Sequence, residues 1–227
     1  MAFVGAIFAA RREWVGANVA LLGLVWGALF VVLAGVALFW PLIIQDTRRH
    51  SRAAVAAAVL AGLLAGMTLL WQSPLWQYPW IIDVSTDLED PPVFRVQSGS
   101  QSGGPVTIGF DRSIAPQIRT YYPDLKPVEL PQAPDAALLA IGAIIRTQPG
   151  WDILGVDRSL LTIQGRIVSP LLRFKYLLVV RIRPSGSGSR VDMRSRSRDG
   201  GADLGANAGY IRQLMSRVAE LKKSQLP

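Results

Sequence analysis

The sequence contains no cysteine and one histidine, His50, and each shortage excludes a class of chemistry. Without cysteine the chain cannot build a disulfide framework, a cysteine nucleophile, an iron–sulfur cluster or a cysteine-rich zinc site. One histidine cannot supply a multi-histidine metal site or a catalytic triad in the residues that follow it. We therefore predict no metal, no cofactor and a non-enzymatic protein. The lack of cysteine does not decide the compartment, because many exported proteins also lack it.

Charged residues are also scarce, at 18% of the chain against about 25% in an ordinary soluble domain. Residues 1–74 contain five basic and two acidic residues. Residues 75–152 contain five basic and nine acidic residues, and residues 153–227 contain fourteen basic and five acidic residues. The formal net charge of +8 thus divides among an apolar first third, a mildly acidic middle and a strongly basic last third.

Two long segments contain no charged residue, and both lie in the apolar first third or at its border. They run from Trp14 to Gln45 and from Ala53 to Ile82. About 20 apolar residues cross the hydrocarbon core of a bilayer as a helix. We expect membrane spans at about 16–39 and 53–71, which form a hairpin over 1–74 and are too long for a removable signal peptide. Residues 75–227 are then one extramembrane domain.

The charges that flank the two spans predict their orientation. The connecting loop contains Arg48, Arg49 and Arg52, whereas no Lys or Arg follows the second span until Arg95. The positive-inside rule therefore places the loop in the cytoplasm and the domain outside, which means the periplasm if the membrane is a bacterial inner (cytoplasmic) membrane. The pair Arg11 and Arg12 opposes this orientation, because it places two basic residues on the outside.

Each predicted span has two glycines four residues apart, a spacing that lets two helix backbones approach closely. The first pair is Gly23 and Gly27, and the second is Gly62 and Gly66. The pairs serve either packing within the hairpin or docking of a partner subunit.

The extramembrane domain has the periodicities of an α+β fold, in which antiparallel strands pack with amphipathic helices. Apolar spacing predicts a helix that Asp135 caps, and a second helix around Ile211 to Leu221. Alternation predicts a short strand near Val106 to Phe110 and longer strands that follow in the basic third. The long strands are expected from Trp151, over 161–167, over 174–182 and over 191–198, with flexible loops at 97–105 and 185–189 and an extended surface path at 121–124.

Several segments of this domain resemble domain of unknown function family 1499. They are DVSTDLEDPPVF (83–94), YPDL (122–125), GWDI (150–153), RFK with the strand after it (173–182), and VDMRSRSRDGGADLGANAGYIR (191–212). The resemblance covers roughly 78–222 and departs from the family at Tyr176 and Leu177, where an acidic pair is common. It implies a bacterial or plastid domain, often preceded by membrane helices, and no established activity.

The most distinctive polar pattern is an arginine row formed by Arg194, Arg196 and Arg198. Residues two apart share one face of a strand, and guanidinium groups bind phosphate or carboxylate through two parallel hydrogen bonds. With Asp203, which is expected to cap the last helix, and Asn207 one turn later, the row predicts a site for an anion or a partner. Alternatively, the arginines are solvated or pair with Asp83, Asp87, Glu89 and Asp90.

The acidic group itself lacks the spacing of a calcium-binding loop, and turn or cap roles are expected for it. We predict a membrane-anchored accessory or assembly subunit whose extracytoplasmic domain binds a membrane-protein complex. Membrane lipids are expected partners and nucleic acid is not. The alternative is a lipid or small-anion binding module that uses strand 191–198.

Overall fold

The computed structural model describes residues 78–96, 106–198 and 203–223. The second of two compact units of the chain begins at Pro79, and it is described by itself. The predicted spans 16–39 and 53–71, the four glycines at 23, 27, 62 and 66, and loop 97–105 lie outside the described residues. Within the described ranges, no helix has both the length and the apolar character that crossing a bilayer requires.

The described unit is built on an antiparallel sheet with helices, which confirms the α+β prediction. The strands are β1 (Asp83–Ser85), β2 (Phe94–Val96), β3 (Val106–Ile108), β4 (Val128–Leu130), β5 (Trp151–Asp157), β6 (Thr162–Val168), β7 (Lys175–Ser185) and β8 (Gly188–Ser197). The main sheet has the order β1-β8-β7-β6-β5, and β4 also pairs with β8. Strands β2 and β3 form a separate two-stranded sheet.

In the described ranges three α-helices accompany the sheet: α1 (Ala115–Tyr121), α2 (Pro134–Thr147) and α3 (Ala206–Lys223). Helices α2 and α3 contact each other and the main sheet. Their apolar stripes bury Ile141 and Ile145 of α2 and Ile211, Leu214 and Val218 of α3. Each stripe is spaced for one helix face, so the hydrophobic periodicity of the sequence sets the orientation of both helices.

The face of the sheet toward the helices holds the apolar core. Directly opposed residues in neighbouring antiparallel strands point to the same face, and the register pairs Ile163 with Val180 and Val180 with Met193. These side chains are almost completely buried. Near one end of this face Tyr176 packs edge-on against Tyr210 of α3, with 4.9 Å between ring centroids. Thus Tyr176, one of the two departures from the family pattern, is a packing residue.

The start of α2 differs from the prediction. The helix begins at Pro134 with Ala133 at the cap position, no side chain caps it, and Asp135 lies in the first turn. The prediction that Asp135 caps the helix is therefore wrong. Proline is well suited to the first helical position, because its missing N–H would have no partner there in any case.

The segment 185–189 is also more ordered than predicted. The ladder between β7 and β8 continues to the pair Ser185 and Gly188, so the connection is a two-residue turn of Gly186 and Ser187. A Cβ atom added at Gly188 would lie 2.1 Å from the carbonyl oxygen of Leu130. Glycine is therefore required where β4 approaches β8, and the Gly-Ser composition reflects close packing as well as the turn.

Four short elements, α1, β1, β2 and β4, were not predicted by the hydrophobic pattern. The expected extended path 121–124 starts in the last turn of α1, and Tyr122 is buried against the domain. Strands β1 and β4 have three residues each. A three-residue strand contains too little alternation to be recognised, and both owe their conformation to pairing with β8.

Candidate functional site

Arg194 lies on the sheet face opposite the helices and is completely buried. Its Nε and Nη2 donate to the two carboxylate oxygens of Asp83 at 2.8 and 2.7 Å. Three backbone carbonyls accept its remaining N–H groups, from Pro92 (2.9 Å), Ile108 (3.2 Å) and Gly109 (2.8 Å). A guanidinium has five donors, so Arg194 has none left for an external ligand.

Two aromatic rings complete the enclosure of Arg194. The guanidinium carbon lies 4.7 Å from the ring centroid of Phe94 and 5.3 Å from that of Phe110. Cation–π attraction strengthens when the charge is removed from water. Because Phe94 begins β2 and Phe110 follows β3, Arg194 attaches the small β2–β3 sheet to the main sheet.

The other two members of the predicted arginine row have different environments. The Arg196 side chain is 31% exposed and approaches Asp83 only at 3.4 Å. Arg198 follows the last residue of β8 and is exposed, with its backbone N–H donating to the carbonyl of Lys175. The row therefore runs from the interior to the solvent. Arg194 and Arg196 pair with Asp83, as expected in the alternative that the arginines bind acidic residues of the domain.

A second charged cluster lies on the same face near the β7–β8 turn, and sequence reasoning did not assemble it. It contains six side chains, three basic and three acidic: Arg181, Arg183, Arg190, Asp87, Asp90 and Asp192. Asp192 is fully buried and lies 3.0, 2.7 and 2.8 Å from Arg181, Arg183 and Arg190. One feature of the sequence indicates this cluster: an aspartate stands between two apolar residues of a strand. A carboxylate that is buried at such a position requires basic partners.

Asp87 organises the segment that brings this cluster to the sheet. One of its oxygens accepts from the backbone N–H groups of Glu89 and Asp90, and the other from Arg183 and Arg190. Burial by itself would raise the pKa of Asp87, but these hydrogen bonds and the charge of Arg190 hold it below 3.8. The turn role predicted for the acidic group is confirmed at Asp87, whereas Asp83 lies in β1 and pairs with Arg194.

Asp203 and Asn207 lie on the helix side of the sheet, so they do not join the arginine row. The Asp203 carboxylate accepts from the backbone N–H groups of Gly205 and Asn207, which confirms the predicted capping role. Burial raises its pKa above 3.8 despite these hydrogen bonds. Asn207 is fully buried; its amide oxygen accepts from Ser195 and its nitrogen donates to Ser197 and the carbonyl of Ile82.

The outer edge of β5 is the clearest interaction surface on the described part of the chain. No described strand pairs with this edge. A β-bulge between Ile153 and Gly155 adds the extra residue Leu154, which is 57% exposed. Val156 is 44% exposed and Leu160, in the next turn, 41%. Beside Leu154 a groove of about 360 Å³ lies between β2 and the sheet, lined by Phe94, Arg95, Gln164 and Leu177 among others.

The described residues contain no group of three or more His, Cys, Asp or Glu side chains that are placed to hold a metal ion. The buried polar side chains of the two arginine clusters and of Asn207 bind one another or the backbone. The arrangement can therefore fix segments to the sheet, and β5 with its groove and the exposed end of β8 are among the described surfaces that remain for binding.

The chain was compared with known proteins. No curated protein matches it. A family model described as "Protein of unknown function (DUF1499)" matches residues 83–218. The match begins at β1 and ends within α3, so it includes both arginine clusters, Asn207 and the exposed edge of β5. Because the match covers more than half of the sequence, the chain belongs to the DUF1499 family.

Proposed function

We propose that the protein is a membrane-anchored accessory or assembly subunit whose extracytoplasmic domain binds a membrane protein through the outer edge of β5. The observation that carries the proposal is a strand edge that pairs with no described strand and displays Leu154 and Val156. Natural sheets normally protect an edge with charged side chains, proline or a covering segment. An edge that keeps exposed apolar side chains is suited to adding a strand from another chain.

The charged residues of β5 do not protect the middle of its edge. Asp152 binds Arg166 at 2.7 Å, and Asp157 accepts from the backbone of Ser159 and Leu160. Both lie toward the ends of the strand, so Leu154, Gly155 and Val156 form an uncharged centre. The partner that suits this edge is an extended segment with alternating apolar residues, which pairs on one side of the bulge because the bulge interrupts a continuous ladder.

The anchor in this proposal is the predicted hairpin 1–74, with the domain on the periplasmic side of the inner membrane. A partner in the same membrane is confined to the same surface, so a modest edge contact is strengthened by a high effective concentration. This supports an assembly role in preference to recognition of a soluble ligand.

Photo-crosslinking of the full-length chain in its native membrane tests the proposal. A photoreactive residue at Leu154 is expected to form an adduct with an integral membrane protein, and the adduct should map to an extended apolar segment. The change Val156→Lys in the same chain should abolish it, because an ammonium group would be buried in the contact. The matched control is a photoreactive residue at Leu139, which is 62% exposed on α2 and is expected to form no such adduct.

Three results would contradict the proposal. They are the absence of an adduct at Leu154, an adduct with a second copy of this chain, and an adduct that survives Val156→Lys unchanged. Purification in mild detergent as a monodisperse monomer with no co-purifying membrane protein would contradict it independently.

A further inference from the structure

One end of the main sheet gathers the segments that follow Pro79, and we call it the Pro79 end. The backbone N–H of Ser197 donates to the carbonyl of Ile82, and that of Arg198 to Lys175, at 2.8 and 2.9 Å. The side-chain amide of Asn207 donates to the same Ile82 carbonyl. The start of β1, the start of β7, the end of β8 and the start of α3 therefore meet at this end, and the turn of Gly186 and Ser187 lies at the other.

The Pro79 end exposes large apolar side chains. Trp80 is 86% exposed, Leu171 of the β6–β7 connection 55%, and Leu204 before α3 44%. Single exposed apolar residues are ordinary. Here three of them share one end of the sheet, and tryptophan is the residue that favours the boundary between lipid headgroups and acyl chains.

The charge that this end presents to solvent is positive. Arg198 is exposed, and Arg196 and Lys175 are half-buried. The carboxylates described at this end are Asp83 and Asp203, which are buried, and Asp152, which is exposed and pairs with Arg166 at 2.7 Å. Asp83 binds Arg194 and approaches Arg196 at 3.4 Å, and Asp203 caps α3. Arg198 is therefore the exposed basic residue of this end that pairs with none of these three carboxylates.

The sequence limits how far this end can lie from a bilayer. The second predicted span ends at Trp71, and Pro79 follows eight residues later. A fully extended chain covers about 3.5 Å per residue, so the connection reaches at most about 28 Å. If residues 53–71 span a membrane, a connection of this length allows the end that includes Trp80 to reach the lipid surface.

We propose that the Pro79 end rests on the surface of an anionic bilayer, a proposal that rests on the membrane anchoring in the proposed function. Trp80, Leu171 and Leu204 lie at the headgroup boundary, and Arg198 binds lipid phosphate. Each basic residue near an anionic surface contributes about 1 kcal/mol, or about a fivefold change in the bound population. The contact orients the domain so that the long axis of β7 and β8 points away from the membrane.

The absence of cysteine makes this orientation directly measurable, because each variant carries a single label. The full-length variants Leu204→Cys, Leu171→Cys and Ser187→Cys are labelled with a nitroxide and placed in nanodiscs of phosphatidylcholine, with or without phosphatidylglycerol. Labels at 204 and 171 are expected to lose access to a water-soluble paramagnetic reagent when phosphatidylglycerol is present. The label at 187, at the opposite end of the sheet, should remain accessible in both lipids.

Charge reversal separates a lipid contact from burial within the protein. Arg198→Glu should reduce the protected fraction at position 204 by about fivefold or more, whereas Lys126→Glu, an exposed residue near β4, should leave it unchanged. Equal accessibility at 204 and 187 in both lipids would overturn the proposal while leaving binding at β5 intact. A chain that does not enter the nanodiscs would instead overturn the anchoring, and the lipid contact with it.

Discussion

Two arginine clusters on the same face of the sheet use the same chemistry in different solvent environments. Around Arg194, one guanidinium is fully buried, binds one carboxylate and uses every remaining donor on backbone carbonyls. Around Asp192, three arginines share three carboxylates, and Asp90 of that group is 66% exposed. The Arg194 cluster is closed to water, and its one buried cation has no substitute. The Asp192 cluster is partly open to water, and each of its three arginines can compensate for the loss of another.

The difference shows that an arginine row in a sequence does not define a site by itself. Removing one partner of a buried ion pair leaves an uncompensated charge at low dielectric, which is far more costly than losing a pair that water can reach. Depth therefore decides that Arg194 is structural and leaves Arg198, at the end of the same strand, available to a ligand or surface.

The largest expected effect is that of Arg194→Met. It leaves Asp83 buried without its main cation and three carbonyls without donors, so we expect the free energy of unfolding of the domain to fall by about 3–5 kcal/mol. Hydrogen exchange of the β8 amides in the detergent-solubilised full-length chain, measured at increasing urea, reports this change.

The matched control is Arg196→Met, two residues away on the same face and 31% exposed, with an expected loss of about 1 kcal/mol or less. Adding Asp83→Leu to Arg194→Met should recover part of the loss by removing the stranded charge, while the three carbonyls remain without their donor. Equal losses for Arg194→Met and Arg196→Met would remove the distinction between closed and open clusters.

A smaller effect is expected for Arg183→Gln in the open cluster. Arg181 and Arg190 still face Asp192 at 3.0 and 2.8 Å, so the loss should be about 1 kcal/mol in the same measurement. The loss of unfolding free energy in the double variant Arg183→Gln with Arg190→Gln should exceed the sum of the losses in the two single variants, because only Arg181 then compensates Asp192. Strict additivity would show that the three arginines do not share the charge.

The smallest effect is a dependence on pH that belongs to the open cluster. The folded state lowers the pKa of Asp87 below its ordinary value of 3.8. Its contribution to stability is therefore complete above pH 3.8 and is lost as the pH falls through the lowered pKa. In thermal unfolding followed between pH 2 and pH 5, Asp87→Asn should reduce the slope of stability with pH below 3.8.

Asp203 provides the control of opposite sign. Burial raises its pKa above 3.8, so the folded state binds more protons above that pH and stability falls as the pH rises through the raised pKa. Asp203→Asn should flatten this decline above pH 3.8, because asparagine also caps helices but does not ionise. If both variants changed the slope of stability with pH in the same pH range, the assignment of Asp87 to the range below pH 3.8 and of Asp203 to the range above it would be wrong.

Much of the domain follows from periodicity, and the failures have physical causes. The alternation of Ile163 and Ile167, and the helical spacing of Ile211, Leu214 and Val218, predicted elements that the structure contains. Strands β1, β2 and β4 escaped prediction because three residues contain too little pattern. The helix α1 was missed because Pro123 and the two tyrosines before it suggested an extended path, whereas the helix ends just before that proline.

The candidate sites were harder to predict, because they depend on long-range pairing. The sequence placed Arg194 and Arg196 on one face and named Asp83 among their alternative partners, but it gave no depth for either arginine. It did not bring Asp87, Arg183 and Asp192 together, since the first is about a hundred residues from the other two. The exposed edge of β5 depends on strand order, which local patterns do not encode.

The sequence by itself determined the division into an apolar first third and an α+β domain, the helix and strand faces, and the absence of cysteine chemistry, because composition and periodicity are local properties. The tertiary structure alone decided which arginine is buried, that β5 has an edge with exposed apolar residues and no described partner strand, and which end of the sheet joins Trp80 to Arg198. Burial and pairing arise only when distant segments meet, and they determine whether a guanidinium serves the fold or remains available for binding.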